Sequence, residues 1–295
     1  MHVFRFVMEG KARGHESIDR GYPLLICKPG HYPDGRGVWY LLCMQDQGTA
    51  AATARVARRF PVDRWFYIGM AICAIITIVL GFAPSIVNTA ARKGPPTPLA
   101  AAHGTVYVAW LLVFLAQTTL VATRRVPLHR RLGTAAVALA PVMIVLGYMT
   151  AIAMARRGYD LSGDLHIEAD PLLGLVNPLG DLVTFGILVA AGYGYRRRSD
   201  IHKRLMLFAT VGGLMPAPLA HLIGHFPSTR AMGPIIVVPI ALFLFASAIY
   251  DRVSFGRMHP VSLWGAAPIF VWDLLLNIVI GPSAAWHHFA RWVVR

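Results

Sequence analysis

Seven mostly apolar stretches, each free of Lys and Arg, follow one another through the last three-quarters of the chain: Trp65 to Val87, Ala101 to Thr123, Leu132 to Ala155, Leu179 to Tyr195, Leu205 to Ile223, Pro234 to Tyr250 and Val261 to Ile280. A helix that crosses a bilayer needs about 20 such residues, because hydrocarbon offers the backbone no hydrogen-bond partner and a helix satisfies its amides internally. The pattern predicts an all-α, polytopic transmembrane helix bundle of about seven spans. The fourth and sixth stretches are short and would borrow length from neighbours such as Leu172, Leu173 and Ile201.

The polar stretches between the spans set an orientation. Of the 28 Lys and Arg residues, 21 fall in the amino-terminal segment and in the loops after spans two, four and six, and 7 fall in the alternate loops and the carboxyl terminus. Cytoplasmic flanks retain basic residues, so the amino terminus is expected inside and the carboxyl terminus outside. Residues 1–64 then form a cytoplasmic segment, 65–283 the bundle and 284–295 an external tail. Residues 1–43 carry scattered Gly, Pro and charge with no helical or alternating period; they read either as a tail or as sequence ahead of a true start at Met44. The third-to-fourth loop holds Asp160, Asp164, His166, Glu168 and Asp170, which suits a solvated external loop.

Composition agrees with lipid as the solvent: 56% of residues are hydrophobic and 14% charged, against roughly 25% charged in soluble domains. The net charge of +14 comes from short clusters at span ends, not from the continuous basic stripe that nucleic acid would need. The partner expected for those clusters is the anionic headgroup layer of the bilayer, and no nucleic acid. Cys27, Cys43 and Cys73 lack the spacing of a disulfide framework or a zinc site.

Two of the basic clusters are copies. Arg124-Arg125-Val-Pro-Leu-His129-Arg130-Arg131-Leu132 aligns with Arg197-Arg198-Ser-Asp-Ile-His202-Lys203-Arg204-Leu205 at an offset of 73 residues, and Arg257-Met258-His259-Pro260 is a fainter echo. Spans two and three are thus expected to be a parallel repeat of spans four and five. The corners hold His129, Arg130, Arg131, His202, Lys203, Arg204 and His259 at helix starts, where backbone donors favour anions. They read either as a cytoplasmic anionic site or as topology anchors gripping lipid headgroups. The phrases His129-Arg-Arg-Leu-Gly133 and His202-Lys-Arg-Leu-Met206, with Gly81-Phe82-Ala83 closing the first span and Gln117 in the second, resemble an uncharacterised family of bacterial multi-span membrane proteins over roughly residues 60 to 260. The resemblance implies a bacterial plasma-membrane location and transfers no functional residue.

Polar groups inside the spans are the remaining candidates for chemistry. A carboxylate near the bilayer centre costs at least about 2.5 kcal/mol on insertion scales and so tends to face the bundle interior. Asp273 lies roughly 18 Å along the last span, with Asn277 one turn on, and Asp181 follows Asn177-Pro178 in the fourth. Either Asp273 accepts a proton or cation, or it packs helices through hydrogen bonds. His103, His221 and His225 collect toward the outer side as candidate metal or haem ligands, or as half-wet interfacial histidines. For haem b the sides permit one histidine pair per face, His129 with His202 inside and His103 with His221 outside; against it, the inner pair sits among Arg and Lys at the membrane edge, where a porphyrin is poorly covered.

Signature loops of nucleotide-binding proteins and of common hydrolases are missing. Three function classes follow: a carrier or sensor of a small polar or lipidic molecule built on the repeated helix pairs, a haem-carrying membrane redox protein, and a structural or assembly partner without chemistry of its own.

Overall fold

A computed structural model describes residues 47–88, 97–158, 170–224 and 237–295. Two compact units meet at Arg58 and Arg59. Of the first, only the start of one helix is described, so the segment 1–43 lies outside the described residues, as do Asp160, Asp164, His166, Glu168 and His225.

The chain is a polytopic helical bundle. Helix α1 (Gln47–Val87) contains the first apolar stretch, and α2 (Pro98–Ala122) is the second. The third is α3 (Val126–Val137) continued by α4 (Leu139–Arg157), and the fourth is α5 (Pro171–Gly174) continued by α6 (Val176–Gly194). Helices α7 (Ser199–Leu214) and α8 (Pro216–Gly224) make the fifth, α9 (Val237–Phe255) the sixth, and α10 (Pro260–Leu275), ending in a π-helical turn at Leu276–Ile280, the seventh. Six of these are straight enough and long enough to cross a bilayer alone; α7 and α8, bent by 40°, complete a seventh. The fourth, which looked short, gains a turn from Pro171, Leu172 and Leu173 and reaches 24 residues.

Prolines explain the breaks. A proline ring collides with the carbonyl four residues earlier and offers that carbonyl no N–H. Pro141, Pro178 and Pro218 each stand four residues after the last residue of a broken segment, at Val137, Gly174 and Leu214. The bend between α7 and α8 is therefore written in Pro216 and Pro218.

The core lies where α2, α4, α6 and α7 meet, around Trp110, Met143, Phe185, Leu207 and Phe208. Trp110 donates its indole N–H to Thr210 Oγ1 at 3.2 Å and meets Phe185 edge-on, with ring centres 5.0 Å apart. Helices α6 and α7 approach closely because Gly213 lies directly against the backbone of Phe185, the small-residue device that packs helices where lipid removes the hydrophobic drive between them. The outward faces carry Ile76, Val79, Leu112, Ile187, Leu242 and Ile278, as expected of a surface solvated by hydrocarbon.

The carboxyl-terminal residues form a helix, α11 (Ala284–Val294), capped by Ser283. It docks at the end of the bundle opposite the histidine corners: Trp286 Nε1 donates to Leu172 O at 2.8 Å, His287 Nε2 pairs with Asp170 Oδ2 at 2.8 Å, and Arg156 Nε donates to Val294 O at 2.7 Å. The hydrogen bond from His287 holds the Asp170 carboxyl below its usual range, and the same bond raises the His287 imidazole. Phe289 and Trp292 remain exposed, which suits a helix lying at a membrane interface.

Candidate functional site

The histidine corners gather at one end of the bundle, but the two copies of the repeat meet different surroundings. In the first copy Arg130 and Arg131 are exposed. In the second, Arg204, the equivalent of Arg131, keeps only 4% of its surface. Its Nη2 and Nε reach Asp251 Oδ1 and Oδ2 at 2.5 and 3.3 Å, Nε also reaches Ser262 Oγ at 2.7 Å, and Nη1 donates to Asp200 O at 2.8 Å. Asp251, 2% exposed, further accepts from the Ser262 hydroxyl at 2.5 Å and the His259 backbone N–H at 3.2 Å. Arg204 is therefore engaged inside the protein, and the reading of it as a headgroup anchor gives way to a tie between α7, α9 and α10. Arg130 and Arg131 keep the position that the anchor reading requires.

His259 closes the same network. Its Nδ1 accepts the Val261 N–H at 3.2 Å as a helix cap, which leaves the proton on Nε2, and Nε2 meets Asp200 Oδ2 at 3.3 Å. Lys203 instead places its ammonium 5.2 Å from the centre of the Tyr67 ring on α1, a cation–π contact.

His129 and His202 come together. Their ring centres are 6.3 Å apart with the rings near-perpendicular. His202 Nδ1 lies 2.8 Å from Gly192 O, so Nδ1 carries the proton. Gln117 of α2 rests its amide against His129 Nδ1 and the Gly133 N–H. Of the outer histidines, His103 stacks on Tyr107 with centres 4.0 Å apart, while the buried His221 tilts against Phe82 at 4.6 Å. Among the described residues no group of three or more His, Cys, Asp or Glu side chains is arranged to hold a metal ion.

The second polar cluster lies between the fourth and seventh spans, which run antiparallel. Leu173 and Val176 face Gly281, and Gly180 packs on Leu276. Between these contacts Asn177 and Asn277 exchange both amide hydrogen bonds, at 3.0 and 2.9 Å. One turn further, the register set by the Asn177–Asn277 pair puts Asp181 opposite Asp273 across the two helices. Both are half-buried. Asp273 Oδ2 and Trp272 Nε1 are buried polar atoms without a hydrogen-bond partner among the described residues, and so is His103 Nδ1. Tyr107, which donates to Met143 O at 3.2 Å, borders the cluster from α2. At 1.5 Å per residue, Asp273 sits ~10 Å from the end of its span and Asp181 ~15 Å from the start of its own.

The site residues anticipated from sequence thus divide into two places. Asp181, Asp273 and Asn277 come together, and His129, His202, Lys203, Arg204 and His259 share the opposite end. Asp251, Ser262 and Asp200 escaped the sequence reading. A signal for two of the buried partners was present in the helical period: Arg204 shares a face with Leu207, Phe208 and Val211, and Asp251 with Leu244, Ser247 and Ala248, all buried. Arg131, by contrast, shares its face with the exposed Thr134 and Ala135.

Comparison with protein-family models, with curated proteins and with solved structures brings no match.

Proposed function

We propose that this protein is a multi-pass carrier of a small polar molecule in the bacterial plasma membrane, with the Asp181–Asp273 pair taking up the proton or cation that drives it. The supporting observation is the antiparallel register of the fourth and seventh spans, which sets two carboxylates against each other within the apolar part of the bundle. One of them has an oxygen that no donor among the described residues satisfies. Two carboxylates at close quarters in a poorly solvated place resist double ionisation, so the pair is suited to hold one exchangeable proton or to share one cation. The Asn177–Asn277 amides clamp the helices beside it, and Tyr107 supplies a hydroxyl at its margin.

In this reading the histidine corners face the cytoplasm, in keeping with the bias of Lys and Arg toward that end. The exposed Arg130 and Arg131 hold anionic headgroups there, each worth about 1 kcal/mol near the surface. Helix α11 lies at the outer interface.

The test is proton uptake by the full-length protein reconstituted in liposomes with a pH-sensitive dye trapped inside and a potassium diffusion potential imposed. The wild type should acidify the lumen faster than empty vesicles. Asp273→Asn and Asp181→Asn should each reduce the rate to that of empty vesicles, because neither amide exchanges a proton at neutral pH. Acidification equal to wild type in both variants, or no acidification by the wild type, refutes the proposal.

A further inference from the structure

Helix α11 carries two different stripes on the surface that it turns away from the bundle. Its inner face is spent on packing, where Trp286, Ala290 and Val293 join Ile152 and Leu175 in one apolar cluster. Outward, Ala285, Phe289 and Trp292 recur at intervals of four and three residues and so form one stripe, while His288, Arg291 and Arg295 recur at three and four and form the next. All six are exposed. Trp292 keeps 67% of its surface, and its ring centre stands 6.1 Å from that of Phe289. No acidic residue occurs from Ala284 to Arg295, and Asp170, the carboxylate against which the helix docks, is taken by His287. Arg156 of α4 donates to Val294 O, which brings a third guanidinium to the end of α11 where Arg291 and Arg295 stand.

Two observations identify what covers this face. The first is continuity with the hydrocarbon-facing surface: Ile278 and Val279, 69% and 56% exposed, close the seventh span, and only Gly281, Pro282 and Ser283 separate that span from α11. A helix that starts so soon after a span stays within the headgroup layer. There an amphipathic helix turns its aromatic side chains toward the acyl chains and its basic ones toward the phosphates. The second is charge. Of the seven Lys and Arg assigned to this side of the bundle, Arg156, Arg291 and Arg295 gather at this one helix, and the forked guanidinium matches a phosphate. In a zwitterionic lipid the headgroup cation opposes that attraction, so the cluster favours headgroups of net negative charge.

We propose that α11 is a docking surface for anionic phospholipid in the leaflet opposite the histidine corners, with Phe289 and Trp292 among the acyl chains and Arg156, Arg291 and Arg295 on the headgroup phosphate. The inference rests on the interfacial placement of α11 given above and not on carrier activity.

The experiment uses the full-length protein, labelled with 5-fluorotryptophan, in nanodiscs of phosphatidylcholine. The Trp292 fluorine resonance is identified by its loss in Trp292→Phe. A small fraction of lipid bearing a nitroxide near the top of its acyl chain is then included, as phosphatidylcholine or as phosphatidylglycerol at equal mole fraction. Both should broaden the Trp292 resonance, and the phosphatidylglycerol should do so several-fold more, since each arginine near the surface is worth roughly fivefold in binding anionic lipid. Arg291→Gln combined with Arg295→Gln should remove most of that excess while the resonance stays broadened, because the aromatic stripe is untouched. The Trp286 resonance, from the packed face, should keep its position in the double variant and so report that α11 remains docked. Broadening by neither lipid means that water or a protein covers the face, and overturns the placement together with the proposal. Equal broadening by the two lipids in the wild type leaves α11 at the interface and overturns the anionic site. An undiminished excess for phosphatidylglycerol in the double variant overturns the assignment to these arginines. Asp273→Asn should leave every one of these readouts unchanged, so the carrier proposal stands or fails apart.

Discussion

Replacing Asp251 by Ala strands a guanidinium inside the bundle. Arg204 would keep its bonds to Ser262 Oγ and Asp200 O. It would lose the partner of Nη2 and the carboxylate that balances its charge inside the core, and the Ser262 hydroxyl and His259 N–H would lose their shared acceptor. Removing one member of a buried pair costs about 3–5 kcal/mol, most of it the burden of the charge left behind. Replacing both, as Arg204→Met with Asp251→Leu, should cost less than Asp251→Ala alone, because no charge is then buried without a partner. The repeat supplies an internal control: Arg131→Ala, at the equivalent exposed position, should change stability by less than about 0.5 kcal/mol. Unfolding by added SDS in mixed micelles, followed by circular dichroism, reads all three variants on one scale. The reasoning fails if Asp251→Ala falls within about 1 kcal/mol of wild type, or if the double variant loses as much stability as Asp251→Ala.

Two further outcomes follow from packing and charge. A Cβ at Gly81 would collide with the backbone carbonyl of Pro218, so Gly81→Ala should destabilise the α1–α8 contact by about 1–3 kcal/mol in the same unfolding assay, more than an alanine at the uncrowded Gly69. The docking of α11 should depend on pH. The Asp170 contribution is present above its ordinary pKa and disappears as pH falls through the lowered folded value, whereas that of His287 is complete below about 6.5 and disappears as pH rises through the raised value. The helix should therefore hold best between about pH 4 and 6.5 and loosen on the alkaline side. A fluorine resonance from labelled Trp286 should move with pH in the wild type and stay still in His287→Gln; identical titrations in both would exclude the pair as the cause.

The arithmetic of lipid made the architecture legible. A run of about 20 apolar residues without Lys or Arg has one stable answer in hydrocarbon, a helix, so the spans could be read without knowing a single contact. Pro216 and Pro218 are equally readable as the point where the fifth span departs from a straight helix, since the collision of a proline ring with the preceding turn is a local event. Asp273 stood out because it interrupts an apolar run.

Asp251 did not stand out, although it is the more deeply buried carboxylate. It sits between Tyr250 and Arg252 at the end of a span, where a charged residue ordinarily reaches water, and only the position of α7 and α10 turns that place into an interior. Arg131 and Arg204 make the point more sharply, because their local sequences are nearly the same. One lies on the outer edge of the bundle and the other against two further helices; the turn that follows differs, Thr134 and Ala135 against Leu207 and Phe208, but which helices cover that apolar face is set by packing.

Chain sequence by itself determined which segments are helices and which solvent they must meet, because hydrocarbon acts on each segment separately and forbids unpaired amides wherever it touches. Tertiary structure alone decided which polar groups meet. Asp181 with Asp273, His129 with His202 and Arg204 with Asp251 are separated by 92, 73 and 47 residues. Their pairing depends on helix register and neighbour order, quantities set by the packing of all the helices at once.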